Sequence, residues 1–453
     1  MSQLDRPTEE QQEAIDAFDE FLDTPSQTLF ALLGWAGCGK SFTSSHMYRS
    51  MDFERSPYDE MLWLAPTWKA VHVSGRFLKQ QQAEFETRYN SYNHNLGAMV
   101  LTTTQQGLGI APVIDDEQTE NGMKFASINR GTIRELKPRF IVIDEVSMLS
   151  RKSLMKIYEM AKDVGSKILV VGDPGQLPPV GEKEIKWSGI RNRYELKTVM
   201  RQSNGSAIPL IGEAIRNERD WTKVRGEGLD RVRNVYSAFL DTVGVPADRE
   251  EDRDVFIAYR NQVVNKIQEA ACKKVYGHGR HHVEVGQVVL AQSSISQMCR
   301  DADTGHHVEE RICNQDELVV IGKFGEGRWG EQVRVETWDG KSFDVEYLTQ
   351  SAITNPRHPY NVELNMRAKK ARALQEQYKK DKSINTERLE AWKSFFELKD
   401  NTVLSFAHPF ALTSHKSQGS SYRRAFVDTK DIENYSSRGL YVAATRPKEM
   451  LVI

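Results

Sequence analysis

The chain has 453 residues, 39% of them hydrophobic and 27% charged, with 61 basic residues against 63 acidic ones for a net charge of −2. That length exceeds one compact core and implies two to four structural units of ordinary globular composition. No apolar run approaches the roughly 18 residues of a membrane span, the acidic start Met1–Glu10 has no leader-like stretch, and Cys38, Cys272, Cys299 and Cys313 form no Cys-x-x-Cys pair; membrane insertion, secretion and a disulfide framework are not expected, and a reducing, cytoplasmic setting is. The balanced charge does not advertise nucleic-acid binding, which needs clustered Lys and Arg, although a groove can be charged locally on a neutral protein.

Along the first half, short apolar runs alternate with polar helical stretches. Thr28–Leu33, Met61–Ala65, Phe140–Ile143 and Lys167–Val171 read as buried strands, because strands covered on both faces lose the alternation of half-exposed ones. An α/β fold with a parallel sheet follows. Ala111–Ile128 interrupts it with strand-like flanks around Asn121–Gly122, a strong hairpin signal. Asp254–Ala258, Ala425–Val427 and Met450–Ile453 resemble the first set of strands, so a second α/β unit closes the chain. Between them, His278, His281 and His282 precede Cys299 and Cys313 without zinc-like spacing, and a solvated His-rich turn is expected there. Alternating runs from about 282 to 350 predict a small all-β insert, and the charged stretch Val362–Leu398 predicts a solvated helical arm with little apolar face.

Gly34-Trp-Ala-Gly-Cys-Gly-Lys40-Ser41 fits G-x-x-x-x-G-K-[ST] between a predicted strand and a helix. Glycines let backbone N–H groups curl around phosphates at a helix N-terminus, Lys40 neutralises their charge and Ser41 offers an oxygen to Mg²⁺. Asp144 and Glu145 end the run Phe140–Ile143, which places two carboxylates at the carboxyl end of a buried strand. An Asp-Glu pair is common by itself. Behind a phosphate loop, Asp144 suits the metal and Glu145 an attacking water, so ATP hydrolysis is favoured over transfer to a bound acceptor.

Further motifs share an order along the chain. Asp144-Glu-Val-Ser-Met148 and Gly172-Asp-Pro-Gly-Gln-Leu-Pro-Pro-Val180 resemble motifs II and III of superfamily 1 helicases. Thr413-Ser-His-Lys-Ser-Gln-Gly419 is similar to motif V and Tyr441-Val-Ala-Ala-Thr-Arg446 to motif VI. Ala65–Lys69 resembles motif Ia, Thr103–Leu108 motif Ib, Thr8–Gln11 the Q motif and Glu195–Arg201 motif IV. The chain is most similar to the 5′→3′ RecD-like branch, and within it to the Dda-like helicases of T-even bacteriophages.

The resemblance implies two RecA-like P-loop NTPase domains with parallel sheets. The first spans 1–185 and carries a strand-separating hairpin at 111–128. The second combines 186–281 with 401–453, and 282–400 forms an SH3-like β insert with its charged helical arm. It implies ATP and Mg²⁺ as cofactors, with Gln11 at the adenine, Gly34, Gly37, Gly39, Lys40, Ser41 and Gly419 around the nucleotide, and Ser41 and Asp144 on the metal. Glu145 becomes the hydrolytic base, Gln176 a γ-phosphate sensor, and Arg201 and Arg446 cationic groups on the transferred phosphoryl. Either arginine read alone is also a surface ion pair. Pro66, Thr67, Lys69, Thr103, Thr413, His415 and Lys416 match positions that hold single-stranded DNA, and Phe125 in the hairpin is placed to stack at a fork.

The implied activity is 5′→3′ translocation and unwinding by a monomer. Single-stranded and forked DNA are its partners, with single-strand-binding or replisome proteins beside them, in the host cytoplasm if the chain is phage-encoded. ATP-driven remodelling of protein–DNA complexes without unwinding, a nuclease motor subunit and a small-molecule phosphotransferase are the competing readings; the last leaves Gln176, Arg446 and the later motifs without a use. Trp35 and Cys38 are unusual in a phosphate loop, and packing beside the nucleotide is one use for Trp35.

Overall fold

Unbroken apolar runs in the first half form a sheet buried on both faces. The computed structural model describes residues 6–50, 61–75, 77–78, 99–114, 123–127, 131–179, 181–200, 205–300, 307–337 and 340–453. Strands β1 (Leu29–Gly34), β2 (Met61–Ala65), β3 (Met99–Thr103), β6 (Phe140–Ile143), β7 (Lys167–Gly172) and β8 (Arg193–Leu196) lie parallel in the order β3-β2-β6-β7-β1-β8. The short β4 (Ile110–Ile114) and β5 (Met123–Ser127) pair antiparallel as the expected hairpin. Its turn, with Asn121 and Gly122, and the side chain of Phe125 lie outside the described residues.

One face of this sheet packs Phe30, Leu32, Trp63 and Val142 against Phe18 and Phe21 of the helix Glu9–Leu22. The other packs Ala31, Leu62, Ile141 and Val170 against Leu154 and Ile157 of the helix Arg151–Val164. That second helix starts on a Ser150 cap and stops at Gly165, whose φ of +79° closes its last turn. β8 lies beyond the expected boundary at residue 185 yet pairs with β1, so the first sheet reaches farther along the chain.

A second parallel sheet is assembled from two separated stretches. β9 (Leu229–Asp230), β10 (Asp254–Ala258), β18 (Ala411–Thr413), β19 (Tyr422–Val427) and β20 (Pro447–Val452) run in the order β18-β10-β19-β20-β9. Between its halves stands an antiparallel sheet, β16-β15-β14-β11-β17, made of β11 (Val288–Ala291), β14 (Glu317–Glu326), β15 (Glu331–Thr337), β16 (Ser342–Tyr347) and β17 (Phe406–Ala407), with the hairpin β12 (Ile295–Arg300) and β13 (His307–Ile312) beside it. Because β17 closes on β11, the insert's sheet takes residues from past the expected boundary at 400.

Two expectations change here. The charged arm is a pair of antiparallel helices, Pro359–Lys380 and Asn385–Asn401, with an apolar seam of its own formed by Ala371, Leu374, Ala391, Trp392, Phe395 and Phe396. Gln375 is buried in that seam and accepts from Arg388 and from the Trp392 indole, both at 3.3 Å. The apolar residues are sparse along each helix, but facing pairs make one narrow stripe. The His-rich turn is only partly solvated: the His282 side chain is 41% exposed, while His278 and His281 are half-buried. His278 stacks on Tyr276, with ring centroids 5.3 Å apart, and fully buried His408 reaches the His282 carbonyl oxygen at 3.0 Å. Among the described residues no group of His, Cys, Asp and Glu is placed to hold a metal ion, and no helix is long and apolar enough to cross a membrane.

Candidate active site and adjoining groove

The carboxyl ends of β1 and β6 meet at a cavity of about 380 Å³. Gly37, Gly39, Lys40, Ser41, Asp144, Glu145 and Gln176 line it from the first domain, and Gly419 and Arg446 from the second. Gly37 and Gly39 have φ of +82° and +81°, the left-handed conformation that curls the loop. Gly34 is required for another reason: a Cβ there would stand 2.5 Å from the Cys38 sulfur and 3.0 Å from the Leu196 carbonyl oxygen. Cys38 is thereby explained as a buried packing residue under the loop.

Lys40 donates through Nζ to the carbonyl oxygens of Gly34 and Trp35, at 3.0 and 2.9 Å. Gln11 is fixed by a capping box with Thr8, and its Nε2 donates to the Cys38 carbonyl oxygen at 3.4 Å. It braces the loop from behind and is absent from the cavity lining. Trp35 also points elsewhere. Its ring packs under the Arg216 guanidinium of the second domain, 5.0 Å from the centroid.

Asp144 accepts from the Ser74 hydroxyl at 2.9 Å and from the Glu145 N–H at 2.8 Å. Burial pushes its carboxyl above the usual range, against the pull of Ser74, the Glu145 N–H and Lys40. Glu145 is pushed up by burial and by the Asp144 carboxylate, with Lys40 and Arg446 pulling the other way. A carboxylate raised in this way is a better proton acceptor near neutral pH. The Glu145 backbone sits at φ +48°, a left-handed conformation uncommon for a non-glycine residue, which turns the chain sharply out of β6.

Gln176 is buried, and its Oε1 accepts from Gln418 across the domain boundary at 3.4 Å. Arg446 is held by its own domain, donating to the carbonyl oxygens of Val442 (2.9 Å) and Ser420 (3.2 Å) and to the Thr445 hydroxyl (3.2 Å). Arg201 lies outside the described residues; Met200, just before it, donates its N–H to the Gly37 carbonyl oxygen at 2.7 Å.

Behind the cavity, and sharing Ala70, Val73, Glu145 and Gly419 with it, lies a groove of about 290 Å³. Thr67, Trp68 and Lys69 enter it from the first domain, His415, Lys416 and Gln418 from the second, and Ser294, Asn314 and Gln315 from the insert. Lys69 pairs with Glu250 at 3.4 Å, and Lys416 donates to Gln292 of the insert at 2.8 Å. Burial, helped by Lys69, pulls the Lys416 ammonium below its ordinary value. His415 meets the Tyr259 ring edge-on at 5.5 Å, and Tyr259 stacks flat on Tyr435, which is 54% exposed.

Three expected strand-binding residues are absent from the groove lining. Thr103 is buried and caps Gln106, and Thr413 is buried and caps Lys416. Pro66 is half-buried just past the end of β2. Sequence reasoning passed over Ser74, Asp173, Arg216 and Tyr441. The one available signal was that Asp173 and Tyr441 fall inside motifs already quoted.

The family described as an AAA domain matches residues 7–231, and the UvrD-like helicase C-terminal domain matches 408–453. These two matches bracket the cavity, supplying its loop and carboxylates from one side and Gly419 and Arg446 from the other. The chain is a superfamily 1 helicase. ATP hydrolysis is the chemistry of this helicase. An uncharacterised protein of Acanthamoeba polyphaga mimivirus is 24% identical over 500 aligned residues, covering 95% of the helicase and 96% of the viral protein. Among solved structures, the Pif1 helicase of Candida albicans superposes with a TM-score of 0.48 at 15% identity, covering 99% and 94% of the two chains. A Bacteroides Pif1 bound to single-stranded DNA gives 0.49 at 15% identity, covering 98% and 91%.

Proposed function

We propose that this helicase couples ATP hydrolysis to 5′→3′ movement along single-stranded DNA and separates duplex strands ahead of it, in phage-type replication, recombination or repair. The observation that carries the reading is the split cavity: a phosphate loop and two carboxylates on one domain face a glycine and an arginine on the other. Hydrolysis in such a site senses the distance between domains, and the groove sharing its wall changes with the same distance. The residues fit MgATP. The curled loop has room for phosphates, and Ser41 and Asp144 line the same cavity as hard oxygen donors suited to Mg²⁺.

Bound there, the metal would neutralise charge on the phosphates. Glu145 orients and deprotonates the attacking water, Lys40 exchanges its loop carbonyls for phosphate oxygens, and Gln176 reports the γ-position to Gln418. Arg446, and Arg201 by family position, offset the charge that develops on the transferred group. In the groove, Thr67, Lys69, His415 and Lys416 hold a strand through its backbone, as a sequence-independent motor requires. Beside the groove, the Tyr259–Tyr435 stack, with Tyr435 half-exposed and the Arg260 guanidinium 5.9 Å from its ring centroid, is the surface for an unpaired base. The polarity and the Dda-like character rest on the motif resemblance, and the β4–β5 hairpin stands where that resemblance puts the strand-separating pin.

Purified protein on forked DNA tests the reading. Unwinding is expected with a 5′ tail, together with ATPase activity stimulated by single strands. Unwinding only from a 3′ tail overturns the polarity. Stimulation without unwinding from either tail supports ATP-driven remodelling instead.

A further inference from the structure

Two side chains of the second domain cross to the phosphate loop. Tyr441, on the helix Ser437–Ala444, is 3% exposed; its hydroxyl accepts from the Ala36 N–H at 3.0 Å and donates to Asp173 Oδ2 at 2.7 Å. Asp173 is wholly buried. Its Oδ1 accepts from the Gly175 N–H at 2.8 Å and faces Arg216 at 3.6 Å. Arg216 also bonds Glu195 at 3.0 Å and covers the Trp35 ring. The helix carrying Arg216 lies so close to the helix carrying Tyr441 that a Cβ on Gly212 would stand 2.9 Å from the Thr445 methyl.

Arg446 follows five residues after Tyr441 and, among the described residues, donates only within its own domain, to Val442 and Thr445 of that helix and its cap and to Ser420, so its position in the cavity follows where the helix sits. A single hydroxyl binds the same helix to the loop that holds phosphate. In a dry contact such a bond is expensive to lose, because phenylalanine would leave a buried N–H and a buried carboxylate oxygen without it. We propose that Tyr441 is a positioning residue for ATP hydrolysis: it registers the helix that ends just before Arg446 on the phosphate loop, with Arg216 and Trp35 as a second strap. This rests on the reading of Arg446 given above. The hydroxyl does not touch the reacting atoms, so its effect passes through Arg446.

A double-mutant cycle tests it, with kcat and KM for ATP measured at saturating single-stranded DNA. Tyr441→Phe is expected to lower kcat by about ten- to a hundredfold, the scale of a misplaced group, while KM stays within about twofold. Added to Arg446→Ala, it should lower kcat no further. Arg216→Met removes the outer strap and the guanidinium facing Asp173 but leaves the Tyr441 hydroxyl bonds, giving a smaller loss that also vanishes in the Arg446→Ala background; it decides the matter if Tyr441→Phe does not fold. Full multiplicative losses, or a raised KM with kcat intact, overturn the proposal. Wild-type kcat in Arg446→Ala alone overturns the role of Arg446 first, and this outcome is read independently of the Tyr441 variants.

Discussion

The cavity and the groove share a wall but are built differently. Most charged groups of the cavity stand just past the carboxyl ends of β1 and β6, the two strands that flank β7 in one sheet, and the second domain adds Gly419 and Arg446. The groove draws on three units, each supplying two or more side chains. Chemistry at phosphate needs fixed dipoles and charges, which a rigid sheet end provides. Holding a strand that must be passed along calls for contacts that loosen together, and a surface divided among three bodies loosens whenever one moves. Gly419 sits where the two meet: its φ is +76°, and a Cβ there would stand 3.6 Å from Glu145 Oε1.

The sharpest way to break this contrast is to remove charge from the cavity. Arg446→Ala is expected to reduce ATP turnover by about 10³–10⁵, the typical contribution of such an arginine. Glu145→Gln should reduce kcat by about 10²–10⁴, the range for a positioned base, while fluorescent-nucleotide binding persists. If either variant keeps wild-type turnover, the cavity is not the hydrolytic centre.

Variants in the groove, and at the tyrosine stack that His415 meets beside it, should act on affinity and salt dependence. Lys69→Ala and Lys416→Ala are each expected to make the slope of log affinity against log salt shallower by about 0.7, the single-strand value per phosphate. Tyr435→Ala should weaken binding about tenfold, within the range for one stacked base, and leave that slope unchanged. A Tyr435 variant that shifts the slope would place the ring among backbone contacts and remove the distinction.

The cavity was far more legible in the sequence than the groove. Phosphate chemistry demands particular residue types at fixed spacing, so the sequence alone singles out Lys40, Ser41, Asp144, Glu145, Gln176, Gly419 and Arg446, and all seven line one cavity. The groove had no comparable pattern. Thr103 and Thr413 carry the expected hydroxyls, but a helix cap occupies the first and the turn after β18 the second, and the insert's Ser294, Asn314 and Gln315 give no signal because only tertiary folding brings them there. The parallel sheets were read from unbroken apolar runs. The helical pair missed its seam because a stripe one residue wide is diluted by charge in any linear window. That seam carries an expectation: Trp392→Ala should destabilise the pair by about 3–5 kcal/mol, the usual cost of emptying a large aromatic site, and expose it to limited proteolysis before the rest of the chain.

The smallest effect expected comes from the junction of the second domain and the insert, where neutrality does the work that charge does in the cavity. Burial, with the neighbouring His278, His281 and His282, pushes the His408 imidazole down to about 4, and burial together with Arg280 does the same for His281. Both ring nitrogens of His281 are buried, and among the described residues neither has a hydrogen-bond partner. The folded state therefore holds both rings neutral, while an unfolded chain protonates them near the ordinary value of about 6.5. Between those values the unfolded state binds more protons, so stability rises with pH. Their contribution is present above about 6.5 and is lost as pH falls toward 4. Thermal melts should drop by a few degrees from pH 7.5 to pH 5.5. In His408→Gln, which keeps a donor for the His282 carbonyl oxygen and cannot titrate in this range, the drop should shrink. A melting profile flat with pH in the unaltered protein would mean that this junction opens without cost, and that the insert moves freely on the domain that carries it.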